Sequence, residues 1–212
     1  MELGSLVHEV FQAAAEEALP NAQSEVKVDM RPFGLDSSGH IDLVSTEDGK
    51  ITALEVKTVN GFASKLAVGG QGPAQGPRSS AIVQAALNGL GINADEVRII
   101  LLFMENISPS VAKKIGFTKP WQKFCAEWVL TREEYEPIAK AEIVRMNGIL
   151  EIVDRGELAP RSIPDLPEGA LITDPSKGSW TVEQDGMIID AGQYWACDGY
   201  CAFKDQCLKD GA

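Results

Sequence analysis

No apolar run in this 212-residue chain approaches the roughly 18 to 20 residues of a membrane-spanning helix, so no membrane partner is expected. The first residues, MELGSLVHEVFQAAAEEA, are rich in Glu and lack the basic stretch of a signal peptide, which points to a cytoplasmic location. Basic charge is in deficit: 19 Lys and Arg stand against 31 Asp and Glu, a net −12, which at first sight argues against a nucleic-acid partner. The glycine-rich stretch GGQGPAQGP, residues 69–77, lacks the Gly-Lys-Ser/Thr ending of a phosphate-cradling loop and reads as a flexible connection. There is no internal repeat, and no segment reads as a base-reading element. With 44% hydrophobic and 24% charged residues, the composition suits one globular domain with a sizeable core and an appendage.

The charge that is present is unevenly placed. Residues 57–123 carry eight basic residues against three acidic ones, a net +5, which leaves −17 for the remainder. A basic middle can hold a nucleic-acid strand while the acidic remainder solubilises the protein or repels DNA elsewhere.

The stretch GHIDLVSTEDGKITALEVKT, residues 39–58, reads as a hairpin. His40, Asp42 and Val44 alternate with Ile41 and Leu43, and Ala53, Glu55 and Lys57 alternate with Leu54 and Val56, the period of two of a strand. Asp48-Gly49 fits a two-residue type I′ turn, whose central positions both need positive φ. That turn sets Asp42 directly across from Glu55 and His40 across from Lys57, all on one face. Opposed carboxylates repel unless a cation sits between them, and Mg²⁺ commonly takes one or two carboxylates beside phosphate oxygens. The plainer alternative is a half-solvated hairpin with charges on its outer face, although such a ladder would favour opposite signs.

Residues 5–19 read as a helix, with Ser5 as a candidate N-cap and Val7, Val10, Phe11, Ala14 and Ala18 on its apolar face. A strand over 24–33, the hairpin, a helix from Ser79 or Ser80 through the glycines, and a buried strand over 97–105 follow. The order helix, three strands, helix, strand implies an α/β core. A helical segment over 131–148, a Pro-rich connection from Pro160 to Pro175 and a tail with three of the four cysteines complete the chain.

GSLVHEVF with Gly4 and His8, GHIDLV with Asp42, LEVKT with Glu55 and Lys57, and a following helix with Gln84 resemble, in order and spacing, the motifs of the RecB-like branch of the PD-(D/E)xK nucleases. The resemblance implies a restriction-endonuclease-like core with a helical extension over residues 1–158, and a divalent-metal-dependent DNA exonuclease, acting on free ends and preferring single strands. His8, Asp42, Glu55 and the main-chain carbonyl of Val56 would hold Mg²⁺ or Mn²⁺. Lys57 would position or activate the water and steady charge on the phosphate, and Gln84 would orient substrate. The common pattern is Q-x-x-x-Y, whereas Asn88 stands at the Tyr position here. Taken alone, a histidine beside an apolar helix face is more often a packed side chain than a ligand.

CDGYCAFKDQC places Cys197, Cys201 and Cys207 in a C-x3-C-x5-C cluster, which by itself reads as unrelated thiols or a structural zinc site. Beside the nuclease motifs it resembles the late cysteines of iron-sulfur exonucleases: the CRISPR-associated Cas-four group, AddB nuclease domains and phage RecB-like exonucleases. The resemblance implies a [4Fe-4S] cluster, with Zn as the alternative, in an extension over 159–212 packed on the core. The early cysteine of those proteins precedes the G-x-x-x-H helix and has no counterpart here. Cys125 or a non-cysteine ligand would complete the site, or the cluster is absent or labile. Recombination or CRISPR-adaptation proteins are the implied partners. The rival reading is a catalytically reduced DNA- or partner-binding subunit with the same fold.

Overall fold

The computed structural model describes residues 3–19, 21–70 and 73–157, and three short strand segments between 171 and 190. A five-stranded sheet runs in the order β1 (Gln23–Asp29), β2 (Ser38–Glu47), β3 (Lys50–Val59), β4 (Glu96–Phe103) and β5 (Cys125–Thr131). All neighbours are antiparallel except β3 and β4, so the sheet is mixed. A parallel pair needs a crossover, and α3 (Ser79–Gly91) supplies its main helix. The chain is therefore an α/β protein. β3 is the central strand: Thr52 to Val56 are buried without a break, because neighbouring residues face helices on opposite sides.

On one side Ala81, Ala85 and Ala86 of α3 pack with Ala53, Val97, Ile99 and Leu101. The small residues bring helix and sheet unusually close. A Cβ on Gly89 would stand 2.3 Å from Val97 Cγ1, and one on Gly91 2.1 Å from Val28 Cγ1. Tyr135, Ala139 and Ile143 of α5 (Arg132–Asp154) join the same core, and the Tyr135 hydroxyl donates to the Ala94 carbonyl at 2.5 Å. On the other side Ala15 of α1 (Leu3–Ala18) packs with Leu43 and Leu54, flanked by Phe11 and Ile100.

Several boundaries differ from those the sequence leads one to expect. Ser5 is inside α1 and cannot cap it, since the helix begins at Leu3. Among its described side chains, Gln12 and Ala15 are buried, whereas Val10 is 63% exposed, so the apolar stripe is rotated from the expected one. The first strand stops at Asp29 instead of continuing to 33, because Arg31-Pro32-Phe33 turns as a 3₁₀ helix closed by Gly34 at φ +82°. Proline has no N–H for a ladder, and the Asp29 carboxylate accepts the Arg31 N–H instead at 3.0 Å. Two short helices, α2 (Gly61–Ala67) and α4 (Pro109–Lys114), and the edge strand β5 add to the expected core.

The chain divides into two units, Met1–Glu151 and Ile152–Ala212, with the division inside α5. In the second, β6 (Leu171–Ile172), β7 (Thr181–Gln184) and β8 (Met187–Asp190) form an antiparallel sheet in that order. Cys197, Cys201 and Cys207 lie outside the described residues. Among those described, no helix is long and apolar enough to cross a membrane.

Candidate active site

The β2–β3 turn forms as expected. Asp48 and Gly49 take φ +50° and +80°, and pairs from Glu47–Lys50 to Leu43–Leu54 hold the register that the two-residue turn sets. At Asp42 the arrangement departs from a regular ladder. Asp42 and Glu55 are not main-chain partners, and neither are His40 and Lys57. The Asp42 carboxylate enters the gap, and its Oδ2 accepts the Val56 N–H at 2.6 Å. The β1–β2 ladder skips the same place, where Glu25 takes φ +52°, a conformation uncommon for a residue with a side chain. Both Ile41 and Val44, three residues apart, then pack into the larger core. The period of two does not run through Asp42, so His40, Asp42 and Val44 do not share one face as the alternation predicts.

Two residues of α1 meet this kink. Gln12, 8% exposed, donates to the Asp42 carbonyl at 3.1 Å and to Glu25 Oε1 at 2.8 Å, which satisfies main-chain and side-chain acceptors left over where the ladders break. One turn earlier, His8 places Nδ1 4.0 Å from Asp42 Oδ1. The helix position of His8 thus brings it to the carboxylate that the sequence pairs with it, while Gln12 has no motif to mark it.

Glu55 is 2% exposed. The Lys57 ammonium stands 2.6 Å from its Oε1, a close ion pair whose direction is poor for a hydrogen bond. Asn88 of α3 donates to Glu55 Oε2 at 3.4 Å and to the His40 carbonyl at 3.2 Å. Burial pushes the Glu55 carboxyl above the ordinary glutamate range and the nearby Asp42 adds to the push, while Lys57 and Asn88 oppose it. Lys57 also donates to Gln84 Oε1 at 3.1 Å, one helical turn before Asn88. Asn88 therefore does not replace a tyrosine at the surface; it is buried and orients Glu55.

Asp42, Glu55, Lys57, Gln84 and His8 are gathered at one place, between α1 and α3 where β2 and β3 part. The two carboxylates beside an imidazole can hold a divalent cation if Glu55 exchanges its ion pair with Lys57 for the metal. Among the described residues, however, no three His, Cys, Asp or Glu side chains are already drawn together at ligating spacing, for Glu55 is turned to Lys57. Val56 contributes its N–H to Asp42, which fixes the peptide run between Glu55 and Lys57. Cys125, the described cysteine, is a half-buried free thiol whose pKa is pushed up by burial and by Glu127.

The basic middle is less free than its count implies. Arg98 pairs with Glu96 at 2.5 Å and Glu127 at 3.0 Å, and Lys50 also pairs with Glu96. Burial opposes ionisation of Glu96, yet these cations hold its carboxyl below the ordinary range. Lys113, Lys114 and Lys119 remain exposed.

No family model matches the chain, and no curated protein matches it. Among solved structures it is similar to one titled "Crystal structure of SSO0001", at 16% identity and a TM-score of 0.46, over 70% of this chain and 58% of that one. The chain thus spans less than two thirds of that structure's length.

Proposed function

We propose that the chain is a PD-(D/E)xK nuclease, a divalent-metal-dependent exonuclease that hydrolyses phosphodiester bonds at DNA ends and prefers single strands. The observation that carries this reading is the convergence of Asp42, Glu55 and Lys57 where the hairpin ladder opens. A regular hairpin needs no buried glutamate there; Lys57 offsets part of the cost of burying Glu55 beside Asp42, yet the carboxyl is still pushed up, and a divalent cation would offset the remainder.

Asp42, Glu55, His8 and the Val56 carbonyl are the groups to hold Mg²⁺ or Mn²⁺, which when bound polarises the phosphate and lowers the pKa of the attacking water. Lys57 is held between Glu55 and Gln84, so its charge lies beside the carboxylates and can follow negative charge that grows on the phosphate. Gln84 keeps the ammonium aimed, and its exposed amide is available to the substrate. Asn88 and Gln12 position Glu55 and Asp42 without touching the reacting atoms.

Cys197, Cys201 and Cys207, together with a fourth ligand, would hold a [4Fe-4S] cluster, with zinc as the alternative; brown colour after anaerobic purification, lost in Cys201→Ser, checks this. Partners in recombination or CRISPR adaptation, and a cytoplasmic location, belong to the same reading. A second reading, a catalytically reduced DNA-binding subunit, draws on the closure of Glu55 onto Lys57. End-labelled single- and double-stranded DNA, incubated with and without Mn²⁺, separates the two: shortening from the ends supports the nuclease, and binding without cleavage supports the subunit.

A further inference from the structure

Residues 106–126 contain four lysines and no acidic residue, in a chain of net charge −12. In the same segment two large aromatic side chains face solvent: Trp121 is 46% and Phe124 51% exposed. Both sit on or beside the 3₁₀ turn Pro120–Lys123, and Lys119 Nζ lies 5.8 Å from the centre of the Trp121 ring.

This turn is held from behind. Gln122 Oε1 accepts the N–H groups of Thr118 and Lys119 at 3.0 and 2.9 Å. The Phe124 carbonyl accepts Phe103 N–H at 2.7 Å, and the Lys123 carbonyl accepts Ile107 N–H at 3.0 Å. The aromatics are thus displayed on a backbone fixed to the end of β4, and their exposure is not that of a loose loop. Apolar side chains scattered singly over a surface need no explanation, but two large aromatics three residues apart on one pinned turn among lysines make a local patch. Single-stranded nucleic acid matches this surface in both respects, since bases stack on aromatic faces and phosphates pair with lysines.

The turn also lies at the end of the sheet that carries the candidate site. Lys57 is level with Leu101 and Val59 with Phe103, while Phe124 continues β5 past Cys125, the partner of Leu102. Two strand spacings across and two residues along the strand separate Phe124 from Lys57, about 10 Å by about 7 Å. That is a reach of a few nucleotides. Phe62, 61% exposed, opens α2 directly after β3, and the end of α2 lines a cleft of about 330 Å³ together with Trp121.

We infer that Trp121 and Phe124, with Lys119 and Lys123, form a stacking platform for the single strand that leads to the Asp42, Glu55 and Lys57 site. The platform names the substrate contact of the nuclease reading and rests on it for its purpose, but its binding is measurable without cleavage.

The test is fluorescence anisotropy of a labelled oligothymidylate of about twenty residues with the full chain in EDTA, where hydrolysis plays no part. Trp121→Ala and Phe124→Ala should each weaken binding about tenfold. Lys119→Glu with Lys123→Glu should weaken it and flatten its dependence on salt between about 50 and 200 mM. Val144→Ser with Leu150→Ser, which removes exposed apolar groups on α5, should leave it unchanged. Duplex of the same length should be insensitive to the aromatic changes, because its bases are already stacked. Wild type that fails to bind the oligomer, or aromatic variants that bind within about twofold of it, overturns the platform. So does loss of self-association in sedimentation with unchanged oligomer binding, which makes the patch a contact between copies. Loss of oligomer binding in a protein that never cleaves DNA upholds the platform while the nuclease reading fails.

Discussion

Asp42 Oδ2 accepts the main-chain N–H of Val56 at 2.6 Å, so a carboxylate stands where the neighbouring strand would offer a carbonyl. This one bond ties the candidate chemistry to the fold: the side chain that would face a metal also closes the hairpin beside Glu55.

Asp42 therefore has two separable roles. Asp42→Ala leaves the buried Val56 N–H without its acceptor and should lower stability by about 1 to 3 kcal/mol, outweighing any relief of repulsion with Glu55. Asp42→Asn keeps an oxygen acceptor and should melt near wild type while losing cleavage. Urea denaturation of the three proteins, beside a cleavage assay, checks both. Equal stability of Asp42→Ala and wild type would remove the structural role.

Glu55 makes the metal-free protein sensitive to pH. Its carboxyl titrates above the ordinary value of 4.5 in the folded state, so above that value the folded chain retains a proton that the unfolded chain has released. Stability from this group then falls as pH rises from about 4.5 through the raised folded value and stays low beyond it. Exposed carboxylates such as Asp29, held down to about 2 by Arg31, shift the opposite way, so the effect is read as a difference. Glu55→Gln in EDTA should raise the melting temperature at neutral pH and gain less, or nothing, at low pH. A gain independent of pH would show that Glu55 is not the titrating group.

Close approach of α3 to the sheet sets the positions of Gln84 and Asn88. Gly91→Ala places a methyl 2.1 Å from Val28 Cγ1, which requires the helix or strand to move and should cost about 1 to 3 kcal/mol. Gly116→Ala, where nothing lies within 4 Å, avoids overpacking but takes a left-handed position at φ +77°, so it should cost by backbone strain alone, about 1 to 2 kcal/mol. Cleavage separates them: only Gly91→Ala should reduce activity beyond its loss of folded protein.

The hairpin was legible because Asp48-Gly49 states its own turn chemistry and the alternation on either side gives the register. The kink at Asp42 was not, since nothing in GHIDLV marks a break that depends on Glu25 in β1 and Gln12 in α1. Asn88 was visible only as a departure from a pattern. Its partners, Glu55 and the His40 carbonyl, are 33 and 48 residues away and meet it through the crossover. The buried face of α1 is hidden in the sequence because alanines are apolar enough to fit either stripe, and the polar Gln12 is buried beside Ala15. β5 is hard to read from CAEWVLT because an edge strand with no fully buried residue carries only a weak alternation.

The central claim is that Asp42, Glu55 and Lys57 hydrolyse DNA with a divalent cation, and the most direct measurement is cleavage of end-labelled single-stranded DNA by wild type and Lys57→Ala in Mn²⁺. Wild type should shorten the strand from an end and stop in EDTA. Lys57→Ala should bind the same strand and remain folded yet cleave at least about a hundredfold more slowly, the scale of removing one charge-stabilising group. Cleavage by Lys57→Ala at the wild-type rate, or none by wild type with Mn²⁺ or Mg²⁺, would contradict the account.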